Sequence, residues 1–125
     1  MAVPEDLMYS ADHKWVRLNG GGIAAIGVTD FAQRAFGDII FVNLCMAGVK
    51  IDLGDLLGDM ESVTAVADLV SPVDGFVLKV NAAALETPEI INLEPYNAWL
   101  VEVGPVSDFS ALMDADAYAA LIEAQ

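Results

Sequence analysis

Basic residues are scarce in this sequence. Five Lys and Arg residues stand against nineteen Asp and Glu residues, so the formal net charge is -14. A surface this acidic repels phosphate backbones and anionic lipid headgroups, which argues against nucleic acid and membranes as partners. It favours a partner with a basic surface, although acidic residues also serve solubility alone.

Cysteine and long hydrophobic runs are also lacking. The single Cys45 excludes an internal disulfide and fits a reducing compartment. Its place after the apolar segment 39–44 indicates a small, half-buried side chain rather than a reactive thiol. The first residues lack the pattern of a signal peptide, and the uncharged segment 18–29 is short and broken by glycines. We therefore expect a cytoplasmic protein.

Patterns typical of catalysis and metal binding are missing as well. His13 is the only histidine, and the His, Cys and carboxylate residues show no metal-ligand spacing. No glycine-rich phosphate loop precedes a helix, and no nucleophile stands beside a base. The sequence predicts no catalytic residues of its own. His13 lies two residues before Trp15, and we interpret it as a structural histidine on the same strand face.

The remaining pattern is that of short strands. Hydrophobic residues make up 56% of the 125 residues, which predicts one domain over residues 1–125. A hairpin turn at 19–21 separates strands at 14–18 and 22–27, and a short helix begins at Thr29 or Asp30 and ends at Gly37. Residues 39–44 are predicted to form a buried strand, and Asp114 to cap a C-terminal helix.

A second hairpin is predicted in the middle of the chain. Its strands cover 56–62 and 65–70, with Val63 and Thr64 at the tip. Strands with alternating hydrophobicity follow at 76–80, where Lys79 lies on the polar face, and at 99–103. Pro88 and Pro95 bracket a short helical turn. Many short strands with glycine turns predict a compact β sandwich or flattened barrel.

Residues 59–68 carry the sequence DMESVTAVAD. This segment resembles the lipoylation loop of the glycine cleavage H-protein family, whose pattern is Glu-Ser-Val-Lys-Ala. Further matches with that family occur in its order between residues 9 and 122: His13, Trp15, 27–30, 32–33, 37–38, 71–73, Gly75, 80–81, Pro88, Asn92, 95–96 and Trp99. The resemblance implies a mostly β barrel-sandwich hybrid of the lipoyl-domain type, with a few short helices and a C-terminal helix.

The resemblance also implies a carrier rather than an enzyme. In the family, lipoate is joined in amide linkage to the lysine at the hairpin tip. The resulting arm visits glycine decarboxylase, aminomethyltransferase and dihydrolipoamide dehydrogenase, and tethering raises the effective concentration of the reacting group.

Two residues depart from the family pattern. Thr64 stands where the family has its lipoyl-lysine, and a hydroxyl is a poorer nucleophile that would give a hydrolysable ester. We therefore expect no lipoate. Lys14 replaces the Glu that, in the family, helps to hold the cationic end of the loaded arm. His13, Lys14 and Asn92 are the arm-cleft equivalents, although Lys14 could also be an ordinary exposed strand lysine.

The hairpin around Thr64 is the candidate docking surface. Its residues are Asp59, Glu61, Ser62, Val63, Ala65 and Asp68. The same acids could instead serve solubility alone, or Asp68 could pair with a nearby lysine.

Two functions stay open at this point. The first is a binding or regulatory module without lipoate that docks on glycine decarboxylase, aminomethyltransferase or a lipoylating enzyme. The second is a true lipoyl carrier in glycine catabolism, either modified at Lys14, Lys50 or Lys79 or altered from Lys to Thr at residue 64.

Overall fold

Two β-sheets form the body of the protein. A computed structural model describes residues 2–125. The described strands are β1 Met8–Ser10, β2 Lys14–Leu18, β3 Ala24–Val28, β4 Ile39–Leu44, β5 Lys50–Ile51, β6 Leu56–Ser62, β7 Val66–Val70, β8 Gly75–Val80, β9 Val101–Gly104 and β10 Leu112–Met113. The helices are α1 Asp30–Phe36, α2 Ala82–Glu86, α3 Ile90–Leu93 and α4 Ala115–Glu123. Met1, the first residue of the predicted domain 1–125, lies outside this description.

The seven-stranded sheet has the order β10-β1-β2-β3-β9-β8-β5, and the three-stranded sheet has the order β4-β6-β7. Their inner faces share one hydrophobic core. Val16, Ile26 and Val28 contribute from the larger sheet. Val42 and Leu57 contribute from the smaller one. The predicted mostly β sandwich-like barrel with a C-terminal helix is confirmed.

Local sequence signals explain several boundaries. Asn19 N–H donates to Ile23 O at 2.8 Å and closes the β2–β3 hairpin, where Gly20 and Gly21 have positive φ. Thr29 caps α1 by accepting a hydrogen bond from Ala32 N–H. The helix ends at Gly37, whose φ of 92° favours glycine.

The prediction of a buried strand at 39–44 is wrong in part. In β4, Ile39 and Val42 are buried, but Ile40 is 43% exposed and Phe41 59% exposed. The small sheet covers the core with only one face, and an irregularity in the pairing between Ile39 and Phe41 breaks the alternation, so Ile40 and Phe41 are both exposed despite their hydrophobicity. Val77 faces the core in β8 while Phe76 is exposed, so the face expected to be polar is the buried one. The pairing shifts between Val77 and Lys79, and Lys79 is exposed.

A second hydrophobic cluster lies on the outside of the larger sheet, where α4 packs. It contains Leu7, Tyr9, Trp15, Ala25, Ala115 and Tyr118. Trp15 lies opposite Gly27 in the β2–β3 pair. A Cβ at Gly27 would lie 2.3 Å from the Trp15 ring, so glycine makes room for the indole. The Trp15 Nε1–H donates to Pro95 O at 2.8 Å, which fixes the ring against residues that precede β9.

Within residues 2–125, every helix falls short of the length and hydrophobicity needed to cross a bilayer.

Candidate functional site

The β6–β7 hairpin presents the residues that the family resemblance singles out. Glu61 pairs with Val66, and Ser62 N–H donates to Ala65 O at 2.9 Å to close the turn. Val63 is 83% exposed, and its neighbours Thr64 and Ala65 are exposed as well. The predicted tip at Val63 and Thr64 is confirmed.

The outward side of the three-stranded sheet continues from this tip. We call it the three-strand face and define it as Phe41, Asn43, Asp59, Glu61, Val66 and Asp68. Phe41, Glu61 and Val66 form one row across the strands, and Asn43, Asp59 and Asp68 form the next. The Asn43 amide donates to Asp59 Oδ1 at 2.8 Å. The structure therefore brings the predicted docking acids together, and it adds Phe41 and Asn43, which the sequence analysis missed.

Ser62 does not belong to this exposed surface. It was expected to contribute to docking, but it is only 9% exposed and lies at the end of β6, paired with Ile39. Alternation along β6 places Ser62 on the inward side with Met60. Within residues 2–125, its hydroxyl is buried and has no hydrogen-bond partner.

Asn92 fixes the start of β4, which pairs with the end of β6 beside the hairpin tip. Its Oδ1 accepts from Ile39 N–H at 2.8 Å, and its Nδ2 donates to Gln33 Oε1 at 2.9 Å and to Gly37 O at 3.0 Å. These bonds tie α3 to the end of α1 and to the start of β4. The side chain expected in an arm cleft is thus engaged in fixing backbone next to Ser62.

Lys14 is buried, not exposed. The whole residue is 4% exposed, and its Nζ lies 3.2 Å from Asp12 Oδ2. The Asp12 side chain is 44% exposed and also bonds Ser10 Oγ. The interpretation of Lys14 as an ordinary exposed lysine is wrong, because alternation in β2 directs it to the same side as buried Val16. Within the described chain Asp68 forms no ion pair, and Lys14 pairs with Asp12 instead.

A groove of about 310 Å³ lies beside Asp12, between the β1–β2 turn, the β5–β6 turn and the end of β7. Its walls are largely apolar and include Ala11, Leu53, Val70 and Pro72. Asp12 is the charged residue among the groove's lining residues, and its carboxylate is already paired with Lys14. The groove therefore offers little uncompensated negative charge to a cationic ligand.

His13 is part of a buried polar network. Its Nδ1 lies 2.8 Å from the Tyr118 hydroxyl, which lies 2.7 Å from Thr29 Oγ1. The Tyr118 ring stacks on Tyr9 with centroids 4.5 Å apart, and the His13 ring packs on Phe31 at 4.6 Å. Burial lowers the pKa of His13 and raises the pKa of Tyr118 to about 12. These contacts indicate that His13 has a structural role.

The prediction that His13 shares a strand face with Trp15 is wrong. His13 lies in the turn before β2 with a φ of 72°, so strand alternation does not apply to it.

The other candidate nucleophiles lie away from the hairpin tip. Cys45 is half-buried, as expected, and burial raises the pKa of its thiol, which disfavours the reactive thiolate. Lys50 lies in β5 and Lys79 in β8, both in the seven-stranded sheet. Lys79 Nζ is 3.9 Å from Glu102 Oε2. No group of three or more His, Cys, Asp and Glu residues suited to a metal ion occurs within residues 2–125.

Comparison with known families identifies the family to which the chain belongs. The family model for the glycine cleavage H-protein matches residues 7–125. The chain belongs to the glycine cleavage H-protein family. Among similar H proteins, that of Paraburkholderia xenovorans (strain LB400) is 40% identical over 126 residues, covering 99% of this chain and all of the relative. That of Chlorobium chlorochromatii (strain CaD3) is 44% identical over 124 residues, covering 98% of each.

The solved structures agree with the H-protein assignment. A crystal structure of a glycine cleavage system H protein from Mycobacterium marinum superposes with a TM-score of 0.87 and 36% identity, covering 97% of this chain and 99% of that one. The expected family and fold are confirmed. The family consists of carrier proteins rather than enzymes, its members normally carry lipoate, and they work with the enzymes of glycine cleavage.

Proposed function

We propose that this H-protein family member works without covalent lipoate, as a binding or regulatory module that docks on an enzyme of glycine cleavage or of lipoylation. The observation that carries the proposal is Thr64 at the exposed tip of the β6–β7 hairpin. The family resemblance assigns the lipoyl-lysine to this position. A threonine there offers a hydroxyl on a short side chain in place of an amine on a long one.

The lysines of the chain do not replace the missing amine at the tip. Lys14 is buried beside Asp12, so its amine is not accessible to a modifying enzyme. Lys50 and Lys79 belong to the other sheet. The residues at the hairpin tip therefore do not fit an amide-linked lipoyl group.

The surroundings of Lys14 support the same proposal. By resemblance, an acid at this position would help to hold a cationic arm end. Lys14 would repel such a cation and also neutralises Asp12 beside the groove. The attachment group and the complementary charge are thus both replaced, while the acidic outer surface of the hairpin is kept.

The partners proposed for this module are glycine decarboxylase, aminomethyltransferase and a lipoylating enzyme. Biolayer interferometry with each purified enzyme tests the proposal directly. We expect the unmodified chain to bind at least one of them, and more weakly as the salt concentration rises. A chain that binds none of the three would contradict docking.

The alternative function is that of a true lipoyl carrier. It is favoured by the 40% identity over the full length of a relative named as a glycine cleavage system H protein. It is also favoured by the accessibility of Lys79, whose side chain is 72% exposed. Proteolytic peptide mapping of protein from the native cell would find a lipoyl-lysine at residue 50 or 79 if this alternative holds.

A further inference from the structure

The three-strand face exposes apolar and acidic side chains in adjacent rows. Phe41 is 59% exposed and Val66 is 66% exposed, and Glu61 lies between them in the same cross-strand row. Val63 at the tip extends the apolar surface. Exposed apolar residues gathered on one face, rather than scattered singly, are typical of interaction sites.

The arrangement of the acids on this face lowers the stability of the free protein. Asp59 and Asp68 lie directly opposite each other on neighbouring strands, and like charges in that arrangement are destabilising. The basic residues of the chain lie on other elements, where most have partners of their own. Lys14 pairs with Asp12, Arg34 with Asp30 and Lys79 with Glu102; Arg17 stacks on Trp15, and Lys50 lies in β5.

One kind of partner would both cover the exposed apolar side chains and neutralise the opposed acids. We infer that the three-strand face docks a folded protein surface on which an apolar side chain is surrounded by Arg or Lys. The apolar side chain packs on Phe41, and the cations pair with Glu61 and with the opposed Asp59 and Asp68. This inference rests on the proposed docking function and assigns it to a face that extends from the hairpin onto β4.

The apolar and the acidic residues of this face contribute to docking in different ways. Phe41 provides the apolar contact, because a large aromatic side chain loses most water-accessible area when it is covered. The carboxylates speed encounter and select a basic partner, so their contribution falls with salt. Nucleic acid and anionic membranes carry the wrong charge for this face.

The test uses two variants on the face and two matched controls elsewhere. Phe41→Ala removes the apolar contact, and Glu61→Lys reverses one charge within the row. Phe76→Ala removes a Phe that is 45% exposed in β8, and Glu86→Lys reverses an exposed charge in α2. Circular dichroism verifies the fold of all four, and interferometry measures binding to whichever of the three enzymes binds the unmodified chain.

We expect each face variant to weaken binding about tenfold or more, and each control to stay within about twofold. If the unmodified chain binds and the face variants bind equally well, the face is not the docking surface, while the docking function itself survives. If Glu86→Lys weakens binding as much as Glu61→Lys, only the overall charge matters and the inference fails. If the unmodified chain binds none of the enzymes, the inference falls together with the docking function.

Discussion

Around Tyr118 the polar side chains are hydrogen-bonded and largely covered, whereas on the three-strand face half-buried and exposed carboxylates lie opposite like charge. The Tyr118 hydroxyl bridges His13 and Thr29, and its ring is fully buried against Tyr9. On the three-strand face, Asp59 lies opposite Asp68, and Phe41 is largely in solvent. The first arrangement stabilises the fold, whereas the opposed carboxylates of the second lower its stability.

The difference separates residues held within the fold from residues that lie at the surface. His13 and Asn92, which the resemblance places in an arm cleft, have hydrogen-bond partners within the fold. Thr64 and the acids of the three-strand face are accessible to a partner. Substitutions in the two regions should therefore separate effects on stability from effects on binding.

Tyr118→Ala should be the most damaging of these changes. It removes a fully buried aromatic ring and leaves His13 and Thr29 without their shared partner, so we expect a loss of about 3–5 kcal/mol in the free energy of unfolding. Phe41→Ala, which removes an exposed ring, should change it by about 0.5 kcal/mol or less. Urea denaturation of both variants measures the difference, and similar losses would contradict the contrast between the two regions.

Asp12→Asn should have an intermediate effect. It takes the charged partner from the buried Lys14 ammonium, and because Asp12 is partly exposed we expect a loss of only about 1–2 kcal/mol. Lys14→Met removes the buried charge together with its need for a partner, so it should cost less than Asp12→Asn. Denaturation curves recorded side by side test this order, and the reverse order would contradict the view that the buried Lys14 charge destabilises the fold without its partner.

His13 should make the free energy of unfolding depend on pH, and this effect should be smaller than those of the substitutions above. Burial lowers the pKa of His13 in the folded state. A hydrogen bond with the Gln125 side chain and the charge of Asp12 oppose this shift, and Lys14 reinforces it. As the pH falls through the unfolded value of about 6.5, the unfolded chain takes up a proton more readily than the folded one, so stability declines. In His13→Gln the carboxylates still titrate but residue 13 does not. Thermal denaturation between pH 8 and 5 should therefore show a steeper decline for the natural chain, and parallel curves would contradict the assignment.

Thr64→Lys should leave stability nearly unchanged, within about 0.5 kcal/mol, because residue 64 is exposed at a hairpin tip. It should, however, turn the chain into a substrate for a lipoylating enzyme supplied with lipoate and ATP. Val63→Lys, with its amine one residue away on the same tip, is the matched control and should stay unmodified. Mass spectrometry reads out both reactions. An unmodified Thr64→Lys protein would mean that the loop has lost more than its lysine.

Local signals in the sequence predicted much of the fold. The Thr29 cap, the glycine turn after β2, the hairpin with Val63 and Thr64 at its tip and the Asp114 cap of α4 all depend on neighbouring residues, and the structure confirms them. The short strands β5 and β10 were missed, because they are held by strands distant in sequence rather than by their own pattern. Strand β1 and helix α2 were missed as well, although α2 carries a local signal in its Asn81 cap.

The site was harder to predict for the same reason. The apolar run 39–44 predicted a strand buried on both faces, so Phe41 was expected to be buried. In the structure, β4 belongs to a three-stranded sheet that covers the core with one face only, and Phe41 lies on the other face. The burial of Lys14 depends on the ion pair with Asp12 and on the positive φ of His13, which sets where β2 begins. Thr64 itself was evident from the sequence, because the resemblance fixes its position in the loop.

The absence of covalent lipoate is tested most directly by the intact mass of the protein purified from its native cell. We expect the mass of the unmodified polypeptide, with no addition at Thr64 or at any lysine. A mass larger by one lipoyl group would contradict it and make this chain a carrier.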